Sequence, residues 1–386
     1  MTKEDLLIKL CGLYLKGEKL VPDDSTNLAE LYDFAKAHNL MPVCFLSLDF
    51  ENAKDGFGEI REKFFSGFLD SVYIHQLRQN TLDELKELLK GAEIPFICFK
   101  GSVLKELYPV PESRVMGDSD VLIRESDRSK AHKLLIDSGF SCTAENEFVR
   151  NYVKDGNLIE LHTSLSDEYD MGVFETPFDY AKFDGCEGRF EDDFHLAYLI
   201  THMAHHFRFY GAGVRMLLDV AVMLDKSSAD IDAVVKYLES CQLDKFAKVV
   251  FTLCKKWFGV GRDFGENTEG AERFLLSGGV FGGENKNKGA VVARRQLETG
   301  KKITPFMAKL RLAFPSYSTL KGIDYIKFIN GRPWLTPVAW VYRFFYNLKH
   351  RKRFMVSAVK DLNKDETKFQ AEEQLEFFEE IGIYGK

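Results

Sequence analysis

A chain of 386 residues that is 45% hydrophobic and 13% aromatic is long enough for two or three domains and can bury sizeable cores. Its formal net charge of −7 argues against a molecule that coats nucleic acid over its whole surface, and no uninterrupted apolar run has the length of a membrane-spanning helix. Seven scattered cysteines (Cys11, Cys44, Cys98, Cys142, Cys186, Cys241 and Cys254), odd in number and without a C-x-x-C pair, fit a reduced cytoplasm better than a disulfide framework or a zinc site.

Residues 4 to 16 place apolar side chains at helical spacing, and Lys3, Glu4 and Asp5 stand where a signal peptide would be apolar. Ser25 and Thr26 are set to cap a second helix through Ala37, because a side-chain oxygen ahead of Leu28 satisfies its first N–H groups. Lys54 to Phe57 reads as a turn. From Ile60 to Lys90 the pattern is strongly helical, with Phe64, Phe68, Val72, Leu77, Leu82, Leu85 and Leu89 on a largely apolar face. Residues 1–90 are therefore expected to form a helical lead-in that packs on a sheet, without evident chemistry of its own.

The chemistry begins in the next stretch. Ile94-Pro-Phe-Ile-Cys-Phe-Lys100 reads as a buried strand that ends at Gly101-Ser102, where a helical pattern starts. Such a turn offers backbone N–H groups to phosphate. In Arg114-Val-Met-Gly117-Asp118-Ser-Asp120-Val-Leu-Ile123, two acids open a β-branched apolar run, and the period of two projects Asp118 and Asp120 from one face of a strand. Two like charges side by side repel unless a cation sits between them. Ser126 is expected to cap a helix from Asp127 through Asp137, stopped by Gly139, ahead of a strand at Phe140–Thr143. Val149–Val153, the Asp155-Gly156 turn and Leu158–Leu165 read as a hairpin, and within it Glu160 points away from the core-facing Ile159 and Leu161. If this strand lies beside the aspartate strand, Asp118, Asp120 and Glu160 converge as three hard oxygen ligands, which suits Mg²⁺ or Mn²⁺ better than zinc.

Phe99-Lys-Gly-Ser102, Asp118-x-Asp120 and the later strand acid resemble the catalytic pattern of the DNA polymerase β-type nucleotidyltransferase superfamily. More closely, Lys100-Gly-Ser-Val-Leu-Lys105-Glu-Leu-Tyr108, Arg114-x-Met-Gly117-Asp-x-Asp120 and Ile159-Glu-Leu-His162 are similar to an uncharacterised bacterial nucleotidyltransferase family within it. The resemblance implies Mg²⁺-dependent transfer of a nucleoside monophosphate from a nucleoside triphosphate, with release of pyrophosphate, to an acceptor that is a small molecule, a protein or an RNA. It implies that Asp118, Asp120 and Glu160 hold the metal and that Glu160 is a ligand or base for the attacking oxygen. Gly101, Ser102 and Gly117 would border the bound triphosphate, with Lys100, Lys105 and Arg114 neutralising phosphate charge. The alternative is a catalytically silent module of the same fold that binds a nucleotide or RNA.

Beyond Asp192 the pattern is helical again. Phe194 to Phe209 holds His195, His202, His205 and His206, and the simplest reading is a helix with hydrogen-bonded histidines rather than a metal site. After Gly211-Ala-Gly213, a helix from Val214 to Leu224 carries Arg215 and Asp219, four apart and able to pair on its surface. The likeness to the family extends to these residues, which would bring this helix over the nucleotide. Two more helices are expected over 227–258, then an exposed Gly-rich loop, Gly278 to Gly289. From Lys301 to Arg353, twelve Lys or Arg face one acid, Asp324, among many aromatics. That segment suits an anionic partner, whether RNA, membrane surface or polyphosphorylated molecule, or else an amphipathic helix with aromatics in a core. The expected class is α+β: a small mixed-sheet core over 91–190, flanked by helices over 1–90 and a mainly helical region over 191–386.

Overall fold

The computed structural model describes residues 1–53, 56–165, 174–209, 211–277, 314–320, 324–329, 331–350 and 365–383. Two compact units emerge, residues 1–207 with 211–282 and residues 208–210 with 283–386. The lead-in helices, the sheet and the helices that directly follow it, read as successive stretches of the sequence, all fall in the first unit.

In that unit, α1 (Lys3–Lys16) starts at a reciprocal cap between Thr2 and Asp5 and stops at Gly17, whose φ of 71° turns the chain out of the helix. Asn27, not Ser25 or Thr26, caps α2 (Leu28–Ala37) by accepting the Glu30 N–H. The two earlier hydroxyls are held instead by the Asp23 carboxylate. A short helix not evident in the sequence, α3 (Met41–Leu46), begins with Pro42 in its first turn. The long helix α4 (Gly58–Gly91) buries Phe64, Leu82, Leu85 and Leu89, four of the residues expected on its apolar face.

A seven-stranded mixed sheet follows, built from β1 (Phe96–Phe99), β2 (Asp118–Ile123), β3 (Ser141–Glu145), β4 (Val149–Lys154), β5 (Asn157–His162), β6 (Ala181–Asp184) and β7 (Glu187–Phe190) in the order β3-β4-β5-β2-β1-β7-β6. The fold is therefore α+β, as composition and motif order implied. Between β1 and β2 the helix α5 (Gly101–Leu104) runs for a single turn plus a 3-10 turn over Lys105–Leu107, because Pro109 and Pro111 prevent its continuation. Ser126 lies within a 3-10 turn and makes no cap to α6 (Arg128–Asp137), whose first turn has no side-chain cap. The Asp155-Gly156 turn closes β4 onto β5 with positive φ at both residues, 51° and 76°, the geometry of a type I′ hairpin. The β6-β7 hairpin was not foreseen, because its strands are four residues long and polar; the Asp184-Gly185 pair between them was the available signal.

Strand alternation sorts the two faces of the sheet. Phe96, Cys98, Val121, Ile123, Ile159 and Leu161 pack with Leu82, Leu85 and Leu89 of α4 and Ala131 and Leu135 of α6. The other face carries Phe99, Asp120, Glu160 and His162, and it is covered by α7 (Asp192–Phe209), whose Tyr198 ring lies 5.6 Å from that of Phe99. Helices α8 (Val214–Lys226), α9 (Ile231–Glu239), α10 (Asp244–Phe258) and α11 (Glu269–Leu276) complete the described part of the unit.

In the second unit Leu320, Ile326, Ile329 and Ala339 form a small core, with the Trp340 indole donating to the Pro315 carbonyl at 2.8 Å. On the helix Thr336–His350, Phe344 and Phe345 are exposed, as is Trp334 ahead of it, so the expected aromatic core takes in Trp340 but not these three. The Gly-rich stretch 278–289 and most of the basic residues of 301–353 lie outside the described residues. Among the described residues no helix is long and apolar enough to cross a membrane.

Candidate active site

The site grows from the end of β1. Lys100 has φ 49° and ψ −130°, a conformation rarely adopted by a residue with a Cβ, and it turns the chain from strand into α5. Three bonds fix this turn. The Lys100 N–H donates to His195 Nε2 at 3.2 Å, and its carbonyl accepts the N–H groups of Val103 and Leu104. The next residue has to be glycine: a Cβ at Gly101 would collide with the Arg114 guanidinium and stand 3.0 Å from Met116 Sδ. Ser102, 3% exposed, accepts the backbone N–H of Asp120 on its hydroxyl at 3.2 Å and so ties the turn to β2.

Strands β2 and β5 run parallel with Asp120 opposite Glu160 and Leu122 opposite His162. The period of two then puts Glu160 and His162 on the face that carries Asp120. His162 Nε2 stands 3.1 Å from Asp120 Oδ1 and 3.6 Å from Glu160 Oε2. One ligand atom from each of the three lies within 4.8 Å of the others, and among the described residues this is the group able to hold a metal ion. The donor set fits a divalent cation: two carboxylates and an imidazole, with the Lys100 ammonium already bonded to Asp120 Oδ1 at 2.8 Å. Of the three side chains Glu160 is the most accessible, 25% exposed against 5% for His162.

Asp118 stands two residues upstream on β2, opposite Leu158, and does not join that group. Burial and the charges of Asp120 and Glu160 push its carboxyl up to about 6. Asp120 goes the opposite way: burial alone would raise it, but the ammonium of Lys100 and the His162 ring hold it well below the ordinary carboxylate range. For Lys100 and His162, burial works against the charged form, and their acidic partners raise both above ordinary values.

The remaining sequence-predicted residues separate. Arg114 is buried, and it donates from Nε and Nη2 to the Asp219 carboxylate of α8 at 2.8 and 2.9 Å. Asp219 also accepts the Tyr108 hydroxyl at 2.7 Å and lies 3.5 Å from Arg215 Nη1. The Arg215–Asp219 pair expected on a helix surface is thus part of a four-residue network in which Asp219 is buried and Arg215 partly exposed. Lys105 turns to α4, where it is buried and its ammonium donates to Gln79, so it is neither solvated nor beside the carboxylates. Gly117 is exposed, with open space where a Cβ would stand.

Four further residues stand about this site: His195 and His202, expected as helix histidines, and His162 and Arg78, to which the sequence reading gave no role. His162 appeared there only as a motif letter, although its parity with Glu160 was the signal that places it on the site face. His195 is buried and accepts a hydrogen bond, and burial pulls its pKa down to about 4, so the ring is neutral. Burial likewise takes His202 well below its ordinary value, with Lys100 the next contributor. Arg78 of the lead-in helix has a buried Nε without a hydrogen-bond partner; burial lowers its pKa, and the Asp118 charge only partly offsets this. No spacing rule links residue 78 to residue 118.

A family model described as "Uncharacterised nucleotidyltransferase" matches residues 24–259, which takes in the sheet, the carboxylates and α7 to α10. No curated protein matches the chain.

Proposed function

This chain belongs to the uncharacterised nucleotidyltransferase family, and from that premise we propose that it transfers a nucleoside monophosphate from a nucleoside triphosphate to an acceptor oxygen. A new bond forms between the acceptor oxygen and the α-phosphorus, the bond from that phosphorus to the bridging oxygen breaks, and pyrophosphate departs with the electron pair. When bound, a divalent cation, Mg²⁺ or Mn²⁺, supplies charge neutralisation and polarises the phosphoryl group. Asp120 and Glu160 would hold it, with Asp118 a third carboxylate on β2. Glu160, more exposed than Asp120 or His162, is the residue to meet the acceptor and take its proton.

The phosphates are assigned to the turn after β1. Gly101 and Ser102 supply backbone N–H groups, and the Ser102 hydroxyl, while it accepts from Asp120, retains a proton to donate. Lys100 and Arg114 neutralise charge on the departing pyrophosphate, Lys100 by leaving Asp120 for the phosphate. Lys105 and Gly117 have no part in this assignment.

What carries the reading is the parallel register that sets Asp120 beside Glu160 next to the Lys100-Gly101-Ser102 turn. The test is pyrophosphate release from a panel of nucleoside triphosphates, with Mg²⁺ or Mn²⁺ and a cell extract as the source of acceptors. Release that depends on the metal and disappears in Asp120→Asn supports the proposal; release unchanged in that variant refutes it. A catalytically silent binding module is the second reading, favoured by the ammonium already seated on Asp120. It predicts triphosphate binding without release from any member of the panel.

A further inference from the structure

We propose that His162 is a direct metal ligand and that the site, bound through Asp120, Glu160 and this imidazole, selects a first-row transition ion such as Mn²⁺ over Mg²⁺. The inference rests on the nucleotidyl-transfer reading and deepens it by naming the ion and the ligand that selects it.

Three observations converge. The first is placement: His162 lies two residues beyond Glu160 on β5, so both side chains leave the same face of the sheet as Asp120, and Asp118 is left outside the group. The second is spacing. Ligand atoms about 2.1 Å from a shared ion and at right angles to one another stand about 3 Å apart. His162 Nε2 is 3.1 Å from Asp120 Oδ1 and 3.6 Å from Glu160 Oε2. The third is a cation already in place: the Lys100 ammonium, on a flexible stem, bonds to the same Asp120 oxygen that His162 approaches, so an entering ion exchanges with a charge rather than filling a neutral hole.

The chemistry of the donors decides the ion. Mg²⁺ is hard, keeps several of its waters and is served by carboxylates, whereas an imidazole nitrogen adds affinity for first-row transition ions. An all-carboxylate trio of Asp118, Asp120 and Glu160 would not discriminate in this way. If His162 merely hydrogen-bonds Asp120 to orient it, no preference follows, and that is the alternative to be separated.

The experiment is pulsed EPR of Mn²⁺ bound to the full chain with a non-hydrolysable triphosphate, alongside titration with Mn²⁺ and Mg²⁺. The wild type should show the ¹⁴N coupling of a directly bound imidazole. His162→Gln should lose it, His195→Asn and His202→Asn should keep it, and Mn²⁺ affinity in His162→Gln should fall by more than the roughly 10- to 100-fold that losing an orienting partner costs. Affinity for Mg²⁺ should change far less. Bound Mn²⁺ without nitrogen coupling, coupling that survives in His162→Gln, or coupling lost in either of the other two variants overturns the assignment and leaves nucleotidyl transfer standing. Failure of the wild type to bind either ion, with or without triphosphate, removes the metal-dependent reading together with the assignment. Should His162→Gln not fold, the wild-type spectrum and the two other histidine variants still decide the matter.

Discussion

Asp219→Asn is the sharpest test of how the site is braced. The substitution keeps the shape of the side chain and one carbonyl oxygen, but it removes the charge that faces the buried Arg114 guanidinium and the partly exposed Arg215. In the native protein the carboxylate receives Arg114 at 2.8 and 2.9 Å and the Tyr108 hydroxyl at 2.7 Å. Burial opposes ionisation of Asp219, yet Arg114 and then Arg215 outweigh it and lower its pKa. An asparagine retains one of the two acceptors and turns an amide N–H₂ toward a guanidinium. Each charge-assisted bond is worth about 1.5–3 kcal/mol, and an uncompensated buried partner raises the total to about 3–5 kcal/mol. That is a large fraction of the roughly 5–15 kcal/mol by which a folded domain is stable. Urea unfolding of the full chain, followed by far-ultraviolet circular dichroism, should therefore move to a markedly lower midpoint with the slope unchanged. Arg114→Gln and the double variant close a cycle whose coupling should exceed about 1 kcal/mol. A loss under about 1 kcal/mol in Asp219→Asn would mean that the charges are hydrated like a surface pair, and the brace would not exist as described.

Gly101→Ala should cost about 1–3 kcal/mol by overpacking, because the new methyl meets an Arg114 that is pinned at both Nε and Nη2 and cannot step aside; an unaltered urea midpoint would contradict that contact. His38 is fully buried, accepts the Val214 N–H on Nδ1, and has its pKa pulled down to about 4 by burial. Its folded pKa lies below the unfolded value, so its contribution is complete above about pH 6.5 and is lost toward pH 4 at about 1.4 kcal/mol per unit. His38→Gln should flatten the fall in stability between pH 7 and 5, and parallel wild-type and variant curves would exclude the assignment. Of the seven cysteines, Cys142 and Cys186 are part-exposed and the other five are buried, with the Cys11 and Cys98 thiols pushed up to about 12. A thiol reagent should thus titrate two groups rapidly in the native protein and the rest only on unfolding; fast reaction of a third would show that the core opens.

Strand parity made most of the sheet legible. Asp118, Asp120, Glu160 and the Asp155-Gly156 hairpin follow from a period of two and one turn dipeptide, and both are local properties. The caps were less accessible: Asp23 captures Ser25 and Thr26 through its carboxylate, so three adjacent residues able to cap compete and Asn27 prevails. The start of α5 at Gly101 was legible, and its short reach follows from Pro109 and Pro111 behind it. Lys105 and Arg114 carry the same charge and lie in neighbouring motifs, yet one pairs with Gln79 of α4 and the other with Asp219 of α8. Nothing local distinguishes them, since each partner is fixed by packing between segments far apart in sequence.

The strained turn at Lys100 gathers these contacts into one device. A non-glycine residue at φ 49° and ψ −130° costs on the order of 1–3 kcal/mol and persists where its surroundings over-determine it. Here they do so from three directions: His195 takes the backbone N–H, α5 takes the carbonyl, and Asp120 takes the ammonium. Glycine would adopt this backbone without strain, so the sequence tolerates the cost in order to place a cation beside Asp120, and a glycine already follows at 101 where the Arg114 contact requires one. A residue needed only for the turn would be Gly-Gly. The side chain that accompanies the strain ties Lys100 to Asp120: it is a charge held against that carboxylate on a long stem, and under the proposed reaction it would follow the phosphates when a divalent ion takes its place.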